Sequence, residues 1–393
     1  MFKLTNPNYS INLSASSNQT YSYLRQELSP REIIDDHQVH YCGMVQIDTG
    51  GCAYYRSKFP SMILEQRFSE QVSIVEGRVV FSPEMLKIMD SIVLQRLNQK
   101  REIEWMQYVV LPFKEKTGLR IIYDTDDILV EEDIPQYNFF RSIFSDGKEV
   151  VPYYMEHSDL VTVTCQKLAD YYSKKFSIDP KKFKVLPNCP PKFLFGHFSE
   201  NDVLVKAQKR KGRKFRICFS CSPSHFDVRN RNGGMDDFSE IQKWILGNRH
   251  RYQFIFHGGS SAIYQQYEGD FEFVKYGNFL DYPEVRRNIQ ADLYIQPMQK
   301  TMFNECKSPI KLFESWAEGV PILVQDLENY KNTDVESCFS SADDLERKVA
   351  AIADATPEEY TAKTVRNYGK LEQYWLENHI EKWIPVLFHR HHS

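Results

Sequence analysis

No apolar run in the 393 residues approaches the ~20 needed to cross a bilayer. The first residues also lack the basic and then apolar pattern of a secretory leader, so the expectation is a cytoplasmic protein without a membrane span. A strong net charge is missing: 49 basic against 53 acidic residues leave −4, and the chain as a whole does not advertise nucleic-acid binding. A disulfide framework is missing too, because the eight cysteines are scattered from Cys42 to Cys338. Cys218 and Cys221 form a lone C-x-x-C, but Cys218 lies inside an apolar run and no second pair follows at zinc-finger spacing. Buried thiols are the expectation, with neither a metal nor a cofactor.

What is present is length for about two domains and a high aromatic content, 14%. Residues 1–38 are polar, rich in Asn and Ser, and read as an irregular arm. From there strands alternate with helices. Strands are expected at 39–47, 108–111, 119–123, 159–163 and 183–187, with helices at 83–100 and 166–175. Pro190-Pro191 ends this half, since two prolines continue neither a helix nor a central strand. A second set of strands at 215–220, 253–256, 271–274 and 292–295 repeats the pattern, and 357–388 reads as helical with Tyr374, Trp375 and Trp383 as anchors. Such alternation implies parallel sheets covered on both faces. The expected domains are 1–190, 191–370, and a terminal segment 371–393 packing back on the first.

Charge is uneven along the chain. Between Lys192 and Arg231 ten basic residues face three acids, centred on a basic run that begins at Lys206 and ends at Arg216. This is either a nucleic-acid surface or a solvated hinge segment.

The chemistry concentrates in Lys307-Ser308-Pro309-Ile310-Lys311-Leu312-Phe313-Glu314-Ser315-Trp316-Ala317-Glu318-Gly319-Val320-Pro321, a helix, turn and strand start. At helical spacing Lys307, Lys311 and Glu314 share a face. Lysines at a helix N-terminus are mismatched with the dipole, and an anion such as a phosphate repairs the mismatch. A glutamate one turn further in is placed to accept hydrogen bonds from a ribose or sugar hydroxyl. Alternatively, the two lysines are only a solvated helix face.

This segment closely resembles the nucleotide-sugar site of family-4-like GT-B glycosyltransferases (glycosyl transferases group 1). The resemblance implies two Rossmann-like domains facing a cleft, a last helix crossing back, retention of anomeric configuration and no bound metal. It places Lys311 on the donor diphosphate and Glu314 on the nucleotide ribose, with Lys307 and Ser308 beside them. Many members carry a second glutamate eight positions earlier, where this chain has Cys306.

Three further stretches fit that frame. Gly50 and Gly51 follow the first strand, where related enzymes set a glycine-rich loop against the donor phosphates. The pattern Tyr54-Tyr55-Arg56 ending at Pro60 resembles the opening helix of some members and makes Tyr55 and Arg56 candidate acceptor contacts. Ser222, Ser224 and His225, followed by Arg229, resemble the loop after the first strand of the donor domain. Between the strands of the first half, Asp124, Asp126 and Asp127 stand at a strand's carboxyl end, where open α/β sheets put their ligands. They could hold a metal, cap and solvate a loop, or position and deprotonate an acceptor hydroxyl. The last reading makes Asp126 and Asp127 catalytic, alongside Lys311.

The resulting expectation is a retaining glycosyltransferase using a nucleoside-diphosphate sugar, a UDP-sugar, as co-substrate. The acceptor is a hydroxymethylated pyrimidine in phage DNA, reached through the basic run, or else a carbohydrate or glycan. A non-catalytic nucleic-acid-binding protein on a degenerate GT-B fold is the alternative from another class, and the oligomeric state is not legible.

Overall fold

A computed structural model of the chain describes residues 39–48, 50–68, 72–77, 81–258 and 271–388. The expected arm at 1–38 and the last five residues, 389–393, lie outside the described residues. The chain forms two compact units. The first takes the described residues up to Glu131, then Phe144–Leu186, then those from Ile380 onward; the second is Glu132–Ile143 with Pro187–His379. The units therefore divide after Leu186 and after His379, and twelve residues from inside the expected first domain, 132–143, group with the second unit.

The first unit holds a six-stranded parallel sheet: β1 (His40–Gln46), β2 (Val72–Gly77), β3 (Ser91–Gln95), β4 (Arg120–Thr125), β5 (Leu160–Val163) and β6 (Phe183–Val185) in the order β2-β1-β3-β4-β5-β6. Helices α1 (Gly147–His157) and α2 (Gln166–Phe176) precede and follow β5. The strand order reverses between β1 and β3, which is where such sheets open a crevice at their carboxyl ends.

Two expectations fail in this unit, for one reason. The apolar recurrence over 83–100 is not a long helix: a short turn at Pro83–Leu86 leads into β3, whose five residues are all buried. A strand covered on both faces is continuously apolar and mimics helical period over a short window. Conversely, 108–111 is helix, within a helical stretch running from Lys100–Trp105 through Leu111–Thr117. Burial of Trp105, Met106, Val109 and Val110 outweighs the strand preference of the valines.

The second unit repeats the architecture with β7 (Phe215–Ser220), β8 (Tyr252–His257), β9 (Glu272–Val274), β10 (Leu293–Gln296), β11 (Ile322–Gln325) and β12 (Cys338–Phe339), ordered β12-β11-β10-β7-β8-β9 and all parallel. Side chains alternate between two cores. Ile217, Phe219, Phe254, Phe256, Leu293 and Ile295 enter one, and Cys218, Ile255, Tyr294, Ile322 and Val324 enter the other. The first core is a stack of phenylalanines, with Phe219, Phe226, Phe238, Phe254 and Phe256 in ring contact. Much of the aromatic content is thus spent inside. Cys218 and Cys221 are buried free thiols.

Three helices of this unit matter below: α3 (Tyr282–Ile289), α4 (Ile310–Ala317) and α5 (Pro357–Lys370). After α5 the chain continues in short turns, and its last described residues return to the first unit. There Arg120 donates to Pro385 O at 2.9 Å and the rings of His40 and Phe388 lie 5.4 Å apart. Among the described residues no helix is long and apolar enough to cross a membrane.

Candidate functional site

The carboxyl edge of the second sheet gathers two side-chain clusters. One forms around α4. Its first turn carries Lys311, whose Nζ donates to Glu314 Oε2 at 2.9 Å and to the Tyr282 hydroxyl at 2.8 Å. Tyr282, at the start of α3, donates to Glu314 Oε2 at 2.9 Å and accepts from Arg286 Nη1 at 3.1 Å. Arg286, one turn along α3, also bonds Glu318 and lies 4.0 Å from the centre of the Tyr294 ring. Arg286, Glu314 and Glu318 are buried, two cations against two anions once Lys311 is included. Burial alone would lower the Lys311 ammonium, but the Glu314 carboxylate outweighs it and holds Lys311 well above the ordinary lysine range.

The cluster continues to the strand ends. Ser220 Oγ, the last residue of β7, stands 3.2 Å from the Tyr282 hydroxyl and 3.1 Å from His257 Nδ1 at the end of β8. Burial, with Arg286 and Lys311 nearby, lowers the His257 pKa to about 3, so the imidazole is neutral at physiological pH. Gly258 then turns the chain at φ +113, where a Cβ would stand 2.4 Å from Cys221 O, so only glycine fits.

The second cluster is centred on Asp237. Its carboxylate accepts from the Tyr137 hydroxyl at 2.7 Å, Asn304 Nδ2 at 2.8 Å and Gln299 N at 2.7 Å, and lies 2.6 Å from His225 Nδ1. Asp237 is thus ringed by donors, and His225 Nδ1 lies within hydrogen-bond distance of its second oxygen. Beside it, Ser222 and Ser224 share a hydrogen bond at 2.5 Å, and the exposed Arg229 guanidinium sits 4.3 Å from the Phe139 ring centre. Tyr137 and Phe139 come from the 132–143 segment, so this segment is built into the loops that follow β7 and β10.

Of the expected donor residues, Lys311 and Glu314 meet directly, and His225, Ser222 and Ser224 adjoin one another. Lys307 departs from expectation: α4 starts only at Ile310, so Lys307 precedes it, with its ammonium 4.4 Å from the Phe303 ring centre. Ser308 is buried, its hydroxyl without a hydrogen-bond partner among the described residues. Cys306 is buried.

In the first unit, Gly50 N donates to Asp48 Oδ1 at 2.9 Å, and neither Gly50 nor Gly51 has a positive φ. A Cβ on Gly50 would meet only Asp48 Oδ1, at 3.6 Å, so packing does not require the glycine. Asp126 pairs with Arg96 Nη1 at 2.6 Å. Burial pushes its carboxyl up, but Arg96 and the Cys52 thiol outweigh that and hold it below the usual carboxylate range, which makes Asp126 a weak base. Asp127 is partly exposed. Arg56 is fully buried, bonding Asp124 Oδ1 at 2.6 Å through Nη2 and also Leu186 O. Tyr55 is buried against Phe59. Both candidate acceptor residues are therefore packed inside the first unit. Among the described residues no group of three or more His, Cys, Asp or Glu side chains could hold a metal ion.

The basic run is also largely spent internally. Arg213 pairs with the buried Asp292 at 2.5 Å, Arg216 with Glu272 at 3.0 Å, and Lys206 donates to Ala291 O at 2.6 Å. Arg210 lies 4.1 Å from the Tyr360 ring centre. Residues the sequence reading missed are Tyr282, Arg286, Glu318, His257, Asp237 and Tyr137. His257 alone carried a signal, a polar residue ending an apolar strand before two glycines.

No protein-family model and no curated protein matches the chain in sequence. Solved structures do resemble it. WaaG, a glycosyltransferase involved in lipopolysaccharide biosynthesis, aligns at TM-score 0.55 and 14% identity over 89% of this chain and 99% of that one. HepE from Anabaena, in complex with UDP-glucose, aligns at 0.57 and 11% over 88% and 100%. An alpha-glucosyltransferase in complex with UDP-glucose and DNA containing an abasic site aligns at 0.57 and 10% over 88% and 99%. At these identities the likeness establishes the fold. The chain has the GT-B architecture of two Rossmann-like units found in glycosyltransferases.

Proposed function

We propose that the chain is a glycosyltransferase that moves a sugar from a nucleoside-diphosphate sugar, a UDP-sugar, to an acceptor hydroxyl. The observation that carries this reading is the Lys311–Glu314–Tyr282 cluster at the carboxyl edge of the second sheet, in a fold whose solved neighbours include enzymes holding UDP-glucose. A leaving nucleoside diphosphate gathers negative charge. Lys311, kept charged by Glu314, and the first-turn N–H groups of α4 are suited to stabilise it, with Lys307, Ser308 and the Ser222–His225 loop as further donor contacts. Glu314 then exchanges Lys311 for ribose hydroxyls. Asp127, the less buried of the two candidate aspartates, positions the acceptor, and Asp126 with Arg96 supports that loop. Retention of configuration follows from the family resemblance, and no metal enters the proposal.

For the acceptor we carry two readings. A hydroxymethylated pyrimidine in DNA is favoured by the neighbour solved with UDP-glucose and DNA. A glycan is favoured by the internal ion pairs of Arg213 and Arg216, which remove charge from the surface DNA would use.

The test is thermal stabilisation by a panel of nucleoside diphosphates and nucleotide sugars, with Lys311→Ala and Glu314→Ala as controls. One nucleotide should raise the melting temperature of the wild type and neither mutant. No shift with any member of the panel, together with no nucleoside diphosphate released from a sugar donor, would move the chain to the binding-protein class.

A further inference from the structure

Glu314 and Lys311 are joined to the strand ends by hydroxyl groups whose protons can be counted. Tyr282 has one proton and two lone pairs. Glu314 is a carboxylate and can only accept, so the Tyr282 proton points to Oε2 at 2.9 Å. Lys311 and Arg286 can only donate, and they occupy both lone pairs at 2.8 and 3.1 Å. Tyr282 has no capacity left for the Ser220 hydroxyl, 3.2 Å away. The Ser220 proton therefore goes to its other neighbour, His257 Nδ1, at 3.1 Å. An Nδ1 that accepts leaves the imidazole proton on Nε2.

That Nε2–H is fully buried and has no acceptor among the described residues. A buried donor left unmet is costly, and such groups in native structures call for an explanation. The ring is also held in place. It stacks on Tyr282 with centroids 5.5 Å apart, meets the Tyr276 ring edge-on at 4.8 Å, and its backbone carbonyl accepts from Cys221 N at 3.0 Å. Rotamer, tautomer and backbone are all fixed before any ligand arrives.

We infer that His257 is a donor-binding residue that presents a preset Nε2–H to an oxygen of the bound nucleoside diphosphate. This rests on the donor reading above. The chemistry suits that place: Lys311 and Arg286 already supply two cations, and a third would have to be held against them. A neutral N–H adds a directed hydrogen bond to an anionic or hydroxyl oxygen without adding charge. The tautomer is set by proton count through Tyr282 and Ser220, so the same network that holds Glu314 also aims His257.

The experiment uses the full chain labelled with 15N-histidine and the probe UDP, with the His257 signals assigned by their loss in His257→Gln. Without ligand, the two-bond 1H–15N pattern should show a neutral Nε2–H form from pH 5.5 to 8. An Nδ1–H form overturns the inference whether or not any nucleotide binds. On adding UDP the Nε2–H should move downfield. By titration calorimetry His257→Leu should bind UDP ~10-fold more weakly. His257→Gln, whose amide N–H reaches the Nε2 position, should bind within ~3-fold of wild type. Equal UDP affinity in wild type and His257→Leu overturns the inference while leaving the donor site standing. UDP binding that is absent in wild type overturns both the donor reading and this ligand.

Discussion

Replacing Arg56 with methionine should destabilise the first unit by about 3–5 kcal/mol, the cost of leaving one member of a buried ion pair alone. Both side chains are fully buried. The guanidinium reaches Asp124 through Nε at 3.1 and 3.2 Å and through Nη2 at 2.6 Å, and it lies 5.4 Å from the Trp383 ring centre. Without it, Asp124 keeps among the described residues only the Thr162 hydroxyl at 2.6 Å, too little for a carboxylate out of water. The double variant Arg56→Met/Asp124→Leu removes both charges and should recover most of the loss, so the cycle isolates the pair. Native-state hydrogen exchange of the β4 amides is the assay, because it reads this unit without assuming that the whole chain unfolds in one step. UDP affinity should not change. A stability loss under about 1 kcal/mol, with acceptor turnover reduced, would refute this reasoning and favour Arg56 as an acceptor contact.

Three further outcomes are expected. His257 is held neutral with its pKa near 3, below the unfolded histidine value near 6.5, so its contribution to stability is full above pH 6.5 and is lost as pH falls toward 3, at up to about 1.4 kcal/mol per pH unit; His257→Gln should flatten a urea-midpoint profile over that window, and an unchanged slope would contradict the burial. Arg213→Ala should lower stability by about 2–4 kcal/mol, because the Asp292 side chain is fully buried, and leave the salt dependence of any DNA binding unaltered; a shallower salt slope in a filter-binding titration would put Arg213 on the nucleic acid instead. Tyr137→Phe removes one of several donors to Asp237 and should cost about 1 kcal/mol, measured by exchange of amides in the second unit; a loss above about 3 kcal/mol would mean that Asp237 depends on Tyr137 far more than its other donors allow.

The strands that could be read from the chain alone were those with clear ends. β7 is found at the residues its apolar pattern indicates, and the Gly319-Val320-Pro321 turn after α4 delivers β11 directly. The stretch 83–117 resisted because an apolar run cannot tell a doubly covered strand from a buried helix, and only the packing of Trp105 and Val109 decides it. Within the site, Lys311 and Glu314 sit three apart on one helix and announce themselves. Their partners do not: Tyr282 is 29 residues from Lys311, and His257 is 37 from Ser220. The basic run misled for the same reason, since the acids that neutralise it, Asp292 and Glu272, lie 79 residues from Arg213 and 56 from Arg216.

The placement of 132–143 bears on how such a chain can be recombined. A shuffling event that exchanges 187–379 as a single contiguous cassette would leave Tyr137 and Phe139 behind, so the incoming Asp237 and Arg229 would meet whatever residues the recipient carries between its fourth strand and the following helix. The second unit is heritable only as two separated pieces of sequence. Its partner choice in evolution, or at the bench, is thereby tied to a short stretch that a linear reading would assign to the other half.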